Sequence, residues 1–254
     1  MLSTFVETLS GLAGPWAFAF CVAVLFAGYA LRGATGFGAG VIAIPLLLLV
    51  LPLTVVIPVV TALGIAASLG QSVQEFRHVD WRVLRGLALP TAIGVGLGLW
   101  LFAAIDQHLL LKAFGAFIIA YGLWSLLPRR PAVTLPQRAL AGAAGVCGGL
   151  VATLFGGMAG PFYAMYLRVL ALDKRRFRAS MSSVLLCLGL VRAGGYGGLG
   201  LYDRRVLAAL LLFAPVMALA MLIGDRWHAR LDEVRFEKIV AVLLALSGCA
   251  LLIK

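Results

Sequence analysis

Apolar residues along this chain gather into ten runs, at 15–31, 37–52, 54–75, 84–104, 110–127, 139–155, 157–170, 179–198, 206–224 and 238–253. Against about 20 residues for one helical crossing, most are long enough to span a bilayer. The pattern predicts an all-α polytopic membrane protein. Two places interrupt it. Between Leu31 and Pro45, Gly33, Gly36, Gly38 and Gly40 crowd into eight residues beside Arg32, where they weaken helix propagation inside an otherwise apolar stretch. A second interruption follows at Phe155-Gly156-Gly157-Met158-Ala159-Gly160-Pro161. The runs flanking each break are short, so 15–31/37–52 and 139–155/157–170 are expected to form helical hairpins. They turn either at the far surface or partway through the bilayer.

The pattern also repeats. Val79-Asp80-Trp81-Arg82-Val83-Leu84 matches Tyr202-Asp203-Arg204-Arg205-Val206-Leu207, with the two aspartates 123 residues apart. This divides the chain into a first repeat at 1–127, a cytoplasmic linker at 128–138 and a second repeat at 139–254, each a broken hairpin followed by three transmembrane helices. Five segments per half is odd, so the second half is expected to enter the membrane inverted. Charge supports that inference. Fifteen Lys and Arg residues fall in 76–85, 128–138, 168–178 and 225–238, against Lys112, Arg204, Arg205 and Lys254 in the remaining loops and at the C-terminus. The positive-inside rule then puts the rich stretches in the cytoplasm and both termini outside.

Composition narrows the class. The chain is 63% hydrophobic and only 12% charged, far from the roughly 25% charged residues of soluble domains. Its net charge of +11 reflects membrane topology rather than nucleic-acid binding, because the basic residues are scattered between apolar runs. Cys21, Cys147, Cys187 and Cys249 each stand alone in apolar sequence and read as small buried hydrophobes. Glu7 precedes the first apolar run with no Lys or Arg, so the charged start of a signal peptide is not expected. All ten acids lie near span ends or in loops. No carboxylate of the kind proton relays use is expected at mid-membrane.

Two interrupted spans in corresponding halves point to a transporter site, because backbone groups freed at the breaks need protein, water or substrate rather than lipid. Half-helix ends near Gly36, Gly38, Gly40, Gly156, Gly157 and Gly160 would present N–H groups and positive dipole ends to a small anion. Arg192 and Arg32 lie within apolar sequence and are the candidate cations. Arg192 could instead snorkel to the outer surface, and Arg32 could occupy a cytoplasmic turn. Gln71, in a stripe with Ser68 and Gln74, is a further candidate contact, although interhelical hydrogen bonding is the commoner use of such residues. Nothing implies a cofactor or a metal.

At these positions the chain resembles the TauE/SafE sulfite exporter-like permeases over essentially its whole length. The resemblance rests on Gly36-Phe37-Gly38 leading to Pro45 and a leucine run, on Val79-Asp80-Trp81-Arg82, on Tyr121-Gly122, and on Gly156 to Pro161 followed by Tyr166-Leu167. In place of the glycine-rich triplet and spaced proline of many members stands Met158-Ala159-Gly160-Pro161-Phe162. The resemblance implies a bacterial inner-membrane permease for small sulfur-containing or organic anions such as sulfite, sulfoacetate or related carboxylates, often acting in export. Alternating access is the expected mechanism. Two enzyme alternatives compete: a membrane thiol-disulfide conduit using Cys21 and Cys147, and a lipid-modifying enzyme built on His78 with Asp80 or Asp106 with His108. No metal-ligand spacing joins the latter residues.

Overall fold

The computed structural model describes residues 2–126, 136–226, 244 and 246–252, with no strand among them. The helices are α1 (Leu2–Thr35), α2 (Ala39–Leu47), α3 (Leu53–Glu75), α4 (Trp81–Ala104), α5 (Gln107–Leu126), α6 (Gln137–Phe155), α7 (Gly160–Val169), α8 (Lys174–Gly198) and α9 (Arg204–Arg226), and a 3₁₀ turn covers Phe76–His78. Residues 246–252 are helical within the last predicted span. The linker residues 128–135 lie outside the described residues.

Among the described residues, α1, α3, α4, α6, α8 and α9 are long and apolar enough to cross a bilayer. Their outer faces carry large exposed apolar side chains, including Trp16, Leu89, Trp100 and Leu211. Apolar surface turned outward is what a lipid-embedded bundle requires. The chain is an all-α polytopic membrane protein. The short helices differ in kind. At about 1.5 Å per residue, the 9 residues of α2 and the 10 of α7 reach about half of a hydrocarbon core ~30 Å thick.

The main helix contacts form a pattern that survives exchanging α1–α4 for α6–α9. α1 packs on α2 as α6 does on α7, α1 on α9 as α4 on α6, α3 on α9 as α4 on α8, and α2 on α3 as α7 on α8, while α3 and α8 pack on each other. The α1–α9 pair runs in one direction, with Phe18 near Phe213 and Gly33 against Met221. So does α4–α6, where Gly94 faces Val146 and Gly98 faces Thr153. The α3–α8 pair is antiparallel, joining Thr61 to Arg192 and Ser72 to Ser183.

The repeated aspartates do equivalent work. The Asp80 carboxylate accepts the Arg82 backbone N–H at 3.0 Å, and that of Asp203 accepts those of Arg205 and Val206 at 3.0 and 2.9 Å. Each satisfies orphan donors at a helix start. Asp106 accepts the His108 N–H in the same manner, so the acids of both proposed lipid-chemistry pairs serve as caps. Asp173 caps α8, and the Arg176 backbone N–H is the main cause holding its exposed carboxyl below the usual range.

One boundary differs from expectation. The first break was expected to span Gly33 to Gly40, yet α1 continues through Arg32 and Gly33 to Thr35, and Gly40 lies inside α2. The reason is packing. A side chain at Gly33 would run into the Met221 carbonyl and the Asp225 amide of α9, so this glycine permits close helix approach instead of ending a helix.

Glycine also sets the α4–α6 spacing: a Cβ at Gly94 would collide with the Val146 carbonyl, whereas one at Gly96 meets nothing within 4 Å. Gly94→Leu should therefore destabilise the protein by about 1–3 kcal/mol, as overpacking does. Gly96→Leu should leave the thermal midpoint of detergent-solubilised protein unchanged. Equal midpoints for the two variants would show that this contact does not set the spacing.

Candidate functional site

The two breaks meet each other. Gly38 caps α2 at φ 99° and Gly157 precedes α7 at φ 130°, conformations that side chains rarely tolerate. A Cβ at Gly40 would sit 3.1 Å from the Gly157 carbonyl, and one at Gly160 would sit 2.7 Å from the Phe37 ring. The N-termini of α2 and α7 therefore converge, and the backbone donors and positive dipole ends of two short helices face a common region.

Beside them lies a cleft with an empty volume of about 510 Å³, part of it open to solvent. Arg32, Arg192, Gly38, Gly40, Gly156, Gly157 and Gly160 all line it, together with Tyr29, Thr61 and Gly64. Arg192 does not snorkel outward. It is 3% exposed, its Nη2 donates to Thr61 Oγ1 at 2.9 Å and to the Tyr196 hydroxyl at 3.2 Å, and its guanidinium stands 5.5 Å from the Tyr196 ring centre. The Tyr196 hydroxyl in turn donates to the Thr153 carbonyl at 2.5 Å. Arg32 occupies the last turn of α1 rather than a loop. It is 7% exposed, and its Nη2 donates to Ser68 Oγ.

Thr61, Gly64 and Ser68 fall on one face of α3, so the two guanidiniums rest along the same strip of helix. No carboxylate lines the cleft among the described residues. The Nε of each arginine is buried without a hydrogen-bond partner. Two buried cations, donor-only guanidiniums with unused capacity and two helix N-termini make an environment able to hold a small anion, with room for water.

Two expected contacts lie elsewhere. Gly36 faces the side chain of Arg178, and Gln71 turns to the Arg32 carbonyl, as donor at 3.4 Å, and to the Ser182 hydroxyl, as acceptor at 3.2 Å. Neither lines the cleft. Thr61, Tyr29 and Tyr196 were not expected. Thr61 was within reach of the sequence, since it stands one heptad before Ser68, and Tyr196 follows Arg192 by one helical turn.

The thiol pair finds no support in the geometry: Cys21 is buried, Cys147 is exposed, and both are free. Among the described residues no cluster of three His, Cys, Asp or Glu could hold a metal.

Tyr196→Phe removes an acceptor from Arg192 and a donor from the Thr153 carbonyl. It should lower stability by about 1–3 kcal/mol, the cost of orphaning buried polar groups. Tyr202→Phe deletes a buried hydroxyl that has no partner and should leave the thermal midpoint the same or higher. The reverse order would refute the network.

The family model described as Sulfite exporter TauE/SafE matches residues 20–251. A probable inner membrane transporter protein, TsaS, of Comamonas testosteroni is 27% identical over 198 residues, covering 76% of this chain and 80% of that protein. A probable sulfite/organosulfonate exporter, TauE, of Cupriavidus necator is 27% identical over 239 residues, covering 91% and 92%. No solved structure matches significantly. With a family match over nearly all its length and, among the described residues, six helices able to cross a bilayer, the chain belongs to the TauE/SafE sulfite exporter family and is a membrane transporter rather than an enzyme.

Proposed function

We propose that this protein is an inner-membrane permease that exports small sulfur-containing or organic anions, sulfite, sulfoacetate or related carboxylates, by alternating access between two inverted repeats. The observation that carries the reading is the pairing of Arg32 and Arg192, each buried with an unpartnered Nε, around one cleft without a carboxylate. The relatives' names, which mention transport and sulfite or organosulfonate export, agree with that chemistry.

The exchangeable packing pattern supports inverted repeats divided at 128–138. The distribution of basic residues supports cytoplasmic ends for α3 and α9 and outer termini. In this reading the two hairpins enter from opposite sides and meet at their tips. The half-bilayer lengths of α2 and α7 fit that geometry, and so does a site near the midplane.

Arg192→Gln should reduce sulfite flux in proteoliposomes at least tenfold, equivalent to about 1.4 kcal/mol, with expression and monodispersity near normal. Arg204→Gln, on the exposed start of α9, should change flux little. Comparable mild effects in both would remove Arg192 from the site.

Export of a net anion from a negative interior gains about 2.3 kcal/mol per charge per 100 mV. No coupling ion is then required. The acid near the inner end of α3, Glu75, is engaged in an ion pair with Arg178 at 3.9 Å and is not poised in the cleft. Sulfite flux should follow a potassium-valinomycin potential at constant pH, and a pH gradient at zero potential should not drive it once substrate protonation is controlled. Flux driven by the pH gradient alone would replace this model with a proton-coupled carrier.

A further inference from the structure

The polar strip of α3 does not end at the cleft. Beyond Ser68, toward the C-terminus of the helix, Gln71 accepts from Ser182 at 3.2 Å, Ser72 faces Ser183 at 3.5 Å, and Glu75 meets Arg178 at 3.9 Å. Because α8 runs antiparallel, each turn down α3 is answered by a turn toward the start of α8. A seam of polar contacts therefore leads from Ser68, at the edge of the cleft, to the ends of both helices. In the other direction the chemistry changes: Val55, Val56, Ile57, Val59 and Val60 are buried and apolar.

The seam is shut. Ser68, Ser72, Ser182 and Ser183 are all buried, with their hydroxyls turned on neighbouring helices. At its end Arg178 lies between two carboxylates, Glu75 of α3 and, at 3.1 Å, Asp225 of α9. Gly36 of the first break packs on its aliphatic stem. One side chain thus ties α3, α8, α9 and the tip of the first hairpin.

Serines between membrane helices commonly act as glue, and that reading accounts for any one contact. It does not account for a row that begins at the edge of a cleft with two unneutralised arginines, runs one way only and stops at a partly exposed ion-pair cluster. Parted apolar faces would offer nothing to a passing anion. Parted hydroxyls and amides would replace its lost water.

Resting on the anion-permease reading above, we infer that the α3–α8 seam is the route between the cleft and the cytoplasm, and that Arg178, held by Glu75 and Asp225, is the gate that closes it. Opening requires α8 to separate from α3. Partly solvated ion pairs hold weakly enough to be exchanged during transport.

The test uses the full chain with its four cysteines replaced by serine and a single reporter, Ser183→Cys, in inside-out vesicles. A charged, membrane-impermeant methanethiosulfonate should modify the reporter slowly while the gate is intact. Glu75→Gln with Asp225→Asn should speed modification about tenfold, as loss of ~1.4 kcal/mol would, and sulfite should slow it again. Ser72→Cys, on the opposite wall, is the second reporter and should respond alike. A disulfide between Glu75→Cys and Arg178→Cys should abolish both labelling and sulfite flux until it is reduced. Reporters indifferent to the gate variants, or undiminished flux through the cross-linked protein, would overturn the route. Labelling needs no substrate, so gate-dependent labelling without sulfite protection or flux would leave the route standing and reject the anion reading instead.

Discussion

A charged side chain inside a bilayer must be enclosed by protein, and Arg32 and Arg192 impose that requirement on the rest of this molecule. A lipid-facing arginine at the centre of a helix costs about 2.5–3.5 kcal/mol even on the mildest scale. Here α3 supplies the shelter: Thr61 and Ser68 receive the two guanidiniums, and Gly64 between them leaves bare backbone beside Arg32. Tyr196 supports Arg192 from its own helix and anchors it to α6 through the Thr153 carbonyl. Enclosure is still incomplete, because each Nε lacks a partner. A buried polar group left unsatisfied costs free energy until something binds it, which is the physical reason to read the cleft as a binding site.

Enclosure of that kind depends on broken helices. Continuous helices would satisfy their own N–H groups along their length and bring only side chains to the centre. The αL turns at Gly38 and Gly156 end this continuity, and the bare Gly40 and Gly157 let the two tips touch. The same residue type thus works in two ways a few positions apart. Gly36 and Gly38 turn the chain, while Gly33 lets α1 lie against α9.

That double use marks the limit of what local pattern reveals. The apolar runs announced the helices because lipid demands long apolar faces, and Arg192 announced itself because a charge in such a run needs an explanation. The aspartate repeat was legible because an N-cap needs only its next few residues. Gly33 was not, since its role depends on Met221 of α9, in the other half of the sequence pattern and far away along the chain. Gln71 shares a face with Gly64 and Ser68, so its place on the stripe does not separate a cleft contact from an interhelical one; one turn further along α3 it lies beyond the cleft and meets Ser182. The Tyr196–Thr153 link joins α8 to α6, and no spacing within either helix encodes it.

Exchanging α1–α4 for α6–α9 preserves the main packing but not the chemistry. Arg32 lies on α1, whose exchange partner α6 has no arginine after Arg138, and Arg192 lies on α8, whose partner α3 has none. Two symmetric arginine pairs would have made four cations around one small cleft, with repulsion that no nearby carboxylate relieves. One cation from each half, placed on non-equivalent helices, brings both onto a single face of α3. That helix is polar in one direction only. Toward Leu53 it must fill the core with Val55, Val56, Ile57, Val59 and Val60, and toward Glu75 it carries the hydroxyls and amide that meet α8. A scaffold with equivalent halves would present the same surface to an ion from either side. The apolar residues on one side of Thr61 and the hydroxyls, amide and ion pairs beyond Ser68 make the two approaches to the cleft along α3 chemically different.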